Sequence, residues 1–134
     1  MTGYSQTPLI KKLGLKEGYQ FYVSGTPVGY AALLGKLPDL AVQKSRLGKN
    51  LDFIHYFTKS QKELEAFLPK ALNSIKRNGM IWISWPKKSS KIPSDVNEDS
   101  IRTAALPTGL VDVKVCAIDD TWSGLKLVIR KELR

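Results

Sequence analysis

The sequence predicts an α/β fold with a mostly parallel sheet, helices on its faces and an antiparallel strand at the C-terminal end. Segments with strand character alternate with segments of helical periodicity along most of the chain. The stretch MIWISWP (80–86) is almost continuously apolar, which is typical of a strand buried on both faces of a parallel sheet. Only DTWS (120–123) separates the last two strand-like segments, and this link is too short for a crossover helix, so those strands should be antiparallel.

The N-terminal third predicts a short helix, a strand and a second short helix. Apolar residues of TPLIKKLGLKEG (7–18) have helical spacing, and Gly14 is suited to end that helix. The aromatic and β-branched segment YQFYVSG (19–25) indicates a strand that stops at glycine. In the following TPVGYAALLGKLP, Pro27 is suited to the first turn of a helix and Gly35 to its end.

Two strand-like segments follow. LAVQKSRL (40–47) is a weak strand because Lys44 and Arg46 interrupt it, whereas LDFIHYFT (51–58) is a strong one. The link GKN (48–50) between them is too short for a parallel crossover. We therefore expect 40–47 to be a hairpin arm or an irregular edge.

The clearest helix is SQKELEAFLPKALNSIKRNG (60–79). Ser60 and Glu63 have the spacing of a capping box, and Gly79 is suited to the left-handed residue that ends a helix. Pro69 lies inside the pattern and should kink or break the helix.

The last third predicts one helix and two strands. Ser94 or Asp95 should cap a helix within 94–109, whose first turns are acidic. Strands are expected at 110–119 and 124–133, and the sheet edge near the latter is a candidate for pairing with a second copy.

Length and composition limit the class of protein. With 134 residues, 43% hydrophobic and 25% charged, the chain predicts one globular domain, and residues 1–7 are expected to be a flexible lead-in. One cysteine excludes an internal disulfide and a cysteine-cluster metal site. Without a leader or a long apolar run, we expect a cytoplasmic protein with no membrane partner. The oligomeric state is not predicted.

The formal net charge of +9 is unevenly distributed along the chain. Residues 1–50 carry 7 basic and 2 acidic side chains, residues 51–91 carry 8 and 3, and residues 92–134 carry 6 and 7. Such an excess favours anionic partners, including nucleic acid, nucleotides and phosphates. A basic surface without any partner is the alternative.

Three loops follow the carboxyl ends of the predicted parallel strands, where open sheets bind ligands. We expect them to form one anion-binding crevice, with hydroxyl groups and backbone N–H groups around a phosphate or carboxylate and two lysines beside it. The alternative is ordinary turn chemistry with solvated lysines. Trp82 and Trp85 should face opposite sides of the sheet, Trp82 against a helix and Trp85 at the crevice or packed. The candidate ligand-binding residues are Ser24, Gly25, Thr26, Gly29, Thr58, Ser60, Trp85, Lys87 and Lys88.

Other chemically active residues have structural interpretations. His55 lies within a central strand and should be a satisfied core residue, and Cys116 reads as a small buried hydrophobe. Asp119 and Asp120 are adjacent, so they should form a turn, with Trp122 covering the sheet edge, rather than an acid–base or metal pair. No catalytic residues and no metal site are predicted.

The segments LDFIHYF, NGMIWISWP and GLVDVKVCAID, with the helices between them and the closing WSGLKLVIRK, resemble the second half of a class I methyltransferase-type Rossmann fold. LGLKEGYQFYVSGTP resembles its opening strand, which in that fold normally runs into a glycine-rich cofactor loop. More narrowly, LGLKEGY, WPKK and GLVDVKVCAIDDTWSGLK resemble a small bacterial family known only as a domain of unknown function, over nearly the whole chain. The resemblance implies a Rossmann-like fold and no assigned activity.

The chain departs from a working methyltransferase in its cofactor motifs. YVSGTPVG has two glycines four apart and no acidic residue, and Lys44 and Arg46 stand where an acid that holds the ribose is expected. The length also leaves no room for the full seven-strand sheet. We therefore predict a non-catalytic binding module for an anionic small molecule or a phosphate-bearing group, with no cofactor. The alternatives are a reduced S-adenosylmethionine-dependent methyltransferase, with the cofactor across Gly25 and Thr58, and a basic nucleic-acid-binding protein.

Overall fold

The computed structural model of the protein describes residues 8–134, so the flexibility expected of residues 1–7 falls outside the described residues. Six strands form one sheet in the order β2-β1-β3-β4-β6-β5. The helices and strands are α1 (Leu9–Leu13), β1 (Gln20–Ser24), α2 (Tyr30–Leu34), β2 (Val42–Gln43), β3 (Leu51–Phe57), α3 (Gln61–Ser74), β4 (Ile75–Pro86), α4 (Glu98–Ala105), β5 (Leu110–Ala117) and β6 (Trp122–Ile129).

The sheet confirms the predicted mixture of parallel and antiparallel pairs. Strands β2, β1, β3 and β4 are parallel neighbours, and β6 runs antiparallel to both β4 and β5. The two-residue β2 pairs with β1 rather than with β3. Segment 40–47 is therefore the expected irregular edge, and the alternative of a hairpin arm is wrong.

Each face of the sheet has its own hydrophobic core. Helices α3 and α4 cover one face with buried residues that include Leu64 and Ile101, against Ile83 and Leu125 of the strands. Helices α1 and α2 cover the other face, where the largest buried side chain is Trp82. Strands β3 and β4 lie in the middle of the sheet and contribute to both cores, which explains the continuous apolar sequence of β4.

The junction between α3 and β4 differs from the prediction. The helix starts at the Ser60 cap as expected, continues through the exposed Pro69 without a break and ends at Ser74. Ile75 already pairs with Leu51 of β3, and the ladder resumes at Met80 after a bulge. The Gly79 prediction is wrong because this glycine lies within the bulge.

The glycine in this bulge, Gly79, is explained by the limited space for a Cβ atom rather than by a left-handed backbone conformation. A Cβ atom on Gly79 would lie 3.0 Å from the carbonyl oxygen of Leu51 and 3.1 Å from that of Lys76. These distances are shorter than most Cβ contacts, so the bulge favours glycine at this position.

Two other helix starts are shifted from their predicted positions. Helix α4 begins at Glu98 with Asn97 as its cap, so the prediction of Ser94 or Asp95 is wrong. Asp95 instead accepts a hydrogen bond from the backbone N–H of Gln61, at 2.7 Å. Pro27 precedes the left-handed Gly29 that starts α2, so it is not in the first turn of that helix.

The edge strands are β2 and β5, so the expectation that 124–133 lies at an edge is wrong. Strand β6 is internal because β4 and β5 flank it. Among residues 8–134, no helix has the length and apolar character needed to cross a bilayer.

The capping box at the start of α4 generates a stability prediction. The side chain of Asn97 accepts a hydrogen bond from the Ser100 N–H at 2.8 Å, and the Ser100 hydroxyl accepts one from the Asn97 N–H at 2.9 Å. Asn97→Ala should lower the free energy of unfolding by about 1 kcal/mol, because it leaves a helix N–H without its acceptor. Urea unfolding measures the loss, and Asn97→Asp, which retains the acceptor, should be close to wild type. Equal losses in both variants would contradict the cap.

Candidate functional site

The loop after β1 folds back over the end of β3. Gly25 has a φ of 69°, and a Cβ atom there would lie only 2.3 Å from the carbonyl oxygen of Phe57, the last residue of β3. Gly29 also has a positive φ, of 89°, but a Cβ atom there would meet open space. Close backbone approach thus requires glycine at position 25, whereas only the backbone conformation favours it at position 29.

A first pocket, of about 430 Å³, lies beside this loop. Thr26 and Gly29 line it, together with Tyr30 and Leu34 of α2 and Gln43 of β2. This pocket therefore brings together two of the predicted ligand-binding residues, Thr26 and Gly29, both from the first loop.

A second pocket, of about 500 Å³, lies at the end of β4. Three predicted ligand-binding residues line it, namely Trp85, Lys87 and Lys88. The side chain of Trp85 is only 8% exposed and packs in the core beneath α3 and α4. The ammonium group of Lys87 donates to the carbonyl oxygen of Asp119 at 2.9 Å, and its backbone N–H donates to Thr121 at 2.8 Å. Lys87 therefore also joins the end of β4 to the β5–β6 turn, while Lys88 is exposed.

The carboxylate in the second pocket belongs to Glu98 and forms an ion pair with Arg102. The same guanidinium group binds Asp99 at 3.0 Å and Asp112 at 2.9 Å. The hydrogen bonds to Asp112 and Glu98 raise the pKa of Arg102, and the hydrogen bond from Arg102 lowers the pKa of Asp112. Arg102 is thus shared by three carboxylates, of which only Glu98 lines the pocket beside the two lysines.

The predicted hydroxyl residues after β3 take part in structural hydrogen bonds. Thr58 is buried, and its backbone N–H donates to Ser84 of β4 at 3.0 Å. Its hydroxyl accepts from the N–H of Ser60 at 3.2 Å, and the Ser60 hydroxyl caps α3 by accepting from the Glu63 N–H at 3.2 Å. Neither residue lines the two pockets described above. Ser24 ends β1 half-buried and lines neither pocket.

Neither of the two pockets described above brings the three predicted loops together. The first loop lines one pocket, the third lines another, and the end of β3 lies under Gly25. Ligand binding by these residues stays a prediction.

His55 is the satisfied core residue that its position in a central strand predicts. Its Nδ1 atom lies 2.7 Å from the Tyr30 hydroxyl, and its Nε2 atom lies 2.7 Å from the Ser84 hydroxyl. The ring is fully buried and stacks on Phe57, with 4.2 Å between ring centroids. Burial lowers the pKa of His55 to about 3 and raises the pKa of Tyr30. Both side chains are therefore neutral near pH 7.

The two partners of His55 have little signal in the sequence. Ser84 is the one polar side chain within the apolar strand MIWISWP, and this is the signal that a buried hydrogen bond was needed there. Tyr30 lies 25 residues before the histidine and appeared only as part of a short helix.

The β5–β6 connection is a turn, as predicted. One carboxylate oxygen of Asp119 accepts the backbone N–H groups of Thr121 at 2.8 Å and Trp122 at 2.7 Å. The expected position of Trp122 over the sheet edge is wrong, because it begins the internal strand β6 and packs edge-to-face on Phe57. Cys116 is half-buried rather than fully buried because its strand, β5, is the edge.

No group of three or more His, Cys, Asp and Glu side chains within residues 8–134 is arranged to hold a metal ion.

Residues 48–131 match the family described as "Protein of unknown function (DUF3052)". The chain belongs to this family. Comparison with curated proteins gives no match. The membership agrees with the resemblance carried by WPKK and GLVDVKVCAIDDTWSGLK, which both lie within the matched residues.

Solved structures show which fold this DUF3052 chain adopts. A SAM-dependent methyltransferase from Aquifex aeolicus is similar at a TM-score of 0.60 and 18% identity, over 91% of this chain and 88% of that one. The magnesium protoporphyrin IX methyltransferase of Synechocystis PCC 6803, with bound SAM, is similar at a TM-score of 0.64 and 12% identity, over 91% of this chain and 74% of that one. Aeropyrum pernix fibrillarin, with natively bound S-adenosyl-L-methionine, is similar at a TM-score of 0.58 and 15% identity, over 94% of this chain and 70% of that one. The fold is thus Rossmann-like and methyltransferase-like, as predicted.

The two glycines of the first loop generate a paired prediction. Gly29→Ala should lower the free energy of unfolding by about 1 kcal/mol, the strain of a positive φ. Gly25→Ala should cost at least about 2 kcal/mol more, because the new methyl group collides with a backbone oxygen that cannot rotate away. Urea unfolding of both variants measures the difference. Equal losses of unfolding free energy in the two variants would show that the backbone at position 25 is not in close contact with the end of β3.

The buried imidazole generates a pH prediction. The unfolded chain takes up a proton near the ordinary His pKa of 6.5, whereas folded His55 stays neutral down to a pKa of about 3. The free energy of unfolding should therefore fall by about 1.4 kcal/mol per pH unit as the pH drops below 6.5. Chemical unfolding between pH 6.5 and pH 5 should show this slope in wild type and lose it in His55→Asn.

A nuclear magnetic resonance titration of the wild-type ring provides a check that does not depend on folding of the variant. Its nitrogen shifts should remain those of neutral imidazole at pH 5. A midpoint near 6.5 would contradict the buried hydrogen-bonded arrangement.

Proposed function

We propose that this chain is a non-catalytic binding module, expected in the cytoplasm, that holds an anionic small molecule or phosphate-bearing group in the pocket at the end of β4. The observation that carries the proposal is the presence of Trp85, Lys87 and Lys88 around one pocket at the carboxyl end of a central strand. Open α/β sheets bind their ligands at this end.

The size and charge of this pocket support a small anion. Its volume of about 500 Å³ falls within the range of small-molecule sites, about 300–1,000 Å³. Its charged lining residues are two lysines, Lys87 and Lys88, and one carboxylate, Glu98. A phosphate or carboxylate that enters the pocket therefore meets a net positive environment.

The protonation chemistry of the pockets supports binding rather than catalysis. A general acid or base needs a titratable group within reach of the substrate. In the second pocket the carboxylate belongs to Glu98, which is paired with Arg102. His55 has hydrogen bonds at both ring nitrogens and no exposure.

The fold likeness favours a reduced SAM-dependent methyltransferase as the second candidate. The residues of this chain do not fit the usual contacts of that cofactor. The carbonyl oxygen of Phe57 occupies the position next to Gly25 where a side chain would lie, so a ligand cannot enter there. The end of β2 offers Gln43 and Lys44 where an acid would hold the ribose hydroxyls. We derive no methyl-transfer step for this chain.

Calorimetric titration with pyrophosphate and with AMP at moderate salt tests the proposal. At least one probe should bind saturably, and Lys87→Gln/Lys88→Gln should weaken it at least about 10-fold, since charge-assisted hydrogen bonds contribute roughly 1.5–3 kcal/mol each. The matched control is Lys62→Gln/Lys70→Gln on α3, which removes the same charge away from the pocket and should bind like wild type. Absence of saturable binding, or equal weakening in both variants, would exclude the pocket as the anion site.

A second titration with S-adenosylhomocysteine separates the two candidates. We expect no saturable binding tighter than about 100 μM, roughly −5.5 kcal/mol. Tighter one-to-one binding that Gly29→Ala weakens and Lys87→Gln/Lys88→Gln leaves unchanged would favour the methyltransferase candidate.

A further inference from the structure

Two lysines face each other across the last pair of strands. Lys114 of β5 is directly opposite Lys126 of β6 in the antiparallel register. Lys126 is in turn opposite Trp82 of β4, and the indole N–H of Trp82 donates to the Leu13 carbonyl of α1 at 2.8 Å. Directly paired residues have their side chains on the same face. Both lysines therefore lie on the face that α1 covers.

Two more lysines reach the same region from α1 and the segment after it. The ammonium group of Lys12 donates to the carbonyl oxygen of Ala117, at the end of β5, at 3.3 Å. Lys16 follows α1 and lies close enough to act on Lys126. Burial lowers the pKa of Lys126, and the charges of Lys114 and Lys16 lower it further. We call these residues, Lys12, Lys16, Lys114 and Lys126, the lysine surface.

None of the four residues of the lysine surface forms an ion pair within residues 8–134, although the exposed Glu17 follows Lys16 in the sequence. The ion pairs of this part of the chain have Lys76 and Arg102 as their cations. Asp112 is opposite Leu127 and so faces the α4 side, where it binds Arg102. The sequence of residues 1–7 contains no acidic residue.

Like charges directly opposite each other on neighbouring strands destabilise a sheet. An external anion placed between the two lysines would reduce this repulsion. The two pockets described above are lined by other residues. Lys114 and Lys16 are exposed, so the lysine surface is open rather than enclosed.

We propose that the lysine surface binds the phosphate backbone of a nucleic acid, without regard to base sequence. A small ligand needs a concave pocket that buries most of it, whereas a polyanion binds an open surface through repeated charge contacts. The net charge of +9 adds long-range attraction for such a partner. This inference is independent of the proposed function, which concerns the pocket at the end of β4.

The test is fluorescence anisotropy of a labelled 20-nucleotide oligouridine with the full chain over a series of salt concentrations. For single strands, each phosphate contact contributes about −0.7 to the slope of log K against log salt. We expect a slope of about −3 for four lysines, and a slope smaller by about 1.4 for Lys114→Gln/Lys126→Gln. This variant should also melt at a higher temperature than wild type, because the repulsion between the strands is removed.

Two control variants locate the effect. Lys62→Gln/Lys70→Gln removes the same charge from α3, and Lys87→Gln/Lys88→Gln removes it from the second pocket. Both should keep most of the wild-type slope. Loss of oligouridine binding only in the second-pocket variant would instead assign the RNA to that pocket.

Three further results would overturn the proposal. They are no salt-dependent binding by wild type, the same change of slope in the lysine-surface variant and the α3 variant, and binding to phosphatidylserine vesicles without binding to oligouridine.

Discussion

The hydrogen-bonding requirement of one buried imidazole connects three elements of the fold. His55 lies in β3, and its two ring nitrogens bind the hydroxyl groups of Tyr30 in α2 and Ser84 in β4. An unpaired polar group at this depth would cost about 1–3 kcal/mol, so the three side chains hold one another in place. The start of α2 is fixed by this contact, and with it the loop that begins at Gly25 and presses on the end of β3. The arrangement at the carboxyl edge of the sheet follows from that loop.

The position of this loop determines what each strand end can do. The end of β3 lies under Gly25, and the hydroxyl groups of Thr58 and Ser60 form the start of α3. Strand β4 extends further, to Pro86, and leaves its lysines at the rim of a separate pocket. The fold is thus methyltransferase-like, while the loops at this edge of the sheet line separate pockets.

Sequence patterns predicted the parts of this structure that depend on neighbouring residues. Strand β4, the Ser60 cap, the antiparallel end of the sheet and the buried state of His55 all follow from local composition and link length. The patterns failed where distant backbone segments meet. Gly79 has the appearance of a helix stop, but its role comes from a bulge against Leu51. Strand β6 was placed at an edge because nothing local shows that β4 and β5 flank it. The separation of the candidate site residues was not predicted for the same reason. It depends on the contact between Gly25 and Phe57, which are far apart in sequence.

Charge distribution along the chain is a poor guide to charge on the surface. Residues 92–134 carry 6 basic and 7 acidic side chains, which suggests a neutral region. Three of the carboxylates, from Glu98, Asp99 and Asp112, converge on Arg102 on the α4 side of the sheet. A sheet presents alternate residues on opposite faces, so Lys114 and Lys126 are left on the α1 side, and α1 itself contributes Lys12. The separation of charge between the two faces, and not the total of +9, is what makes a specific surface positive.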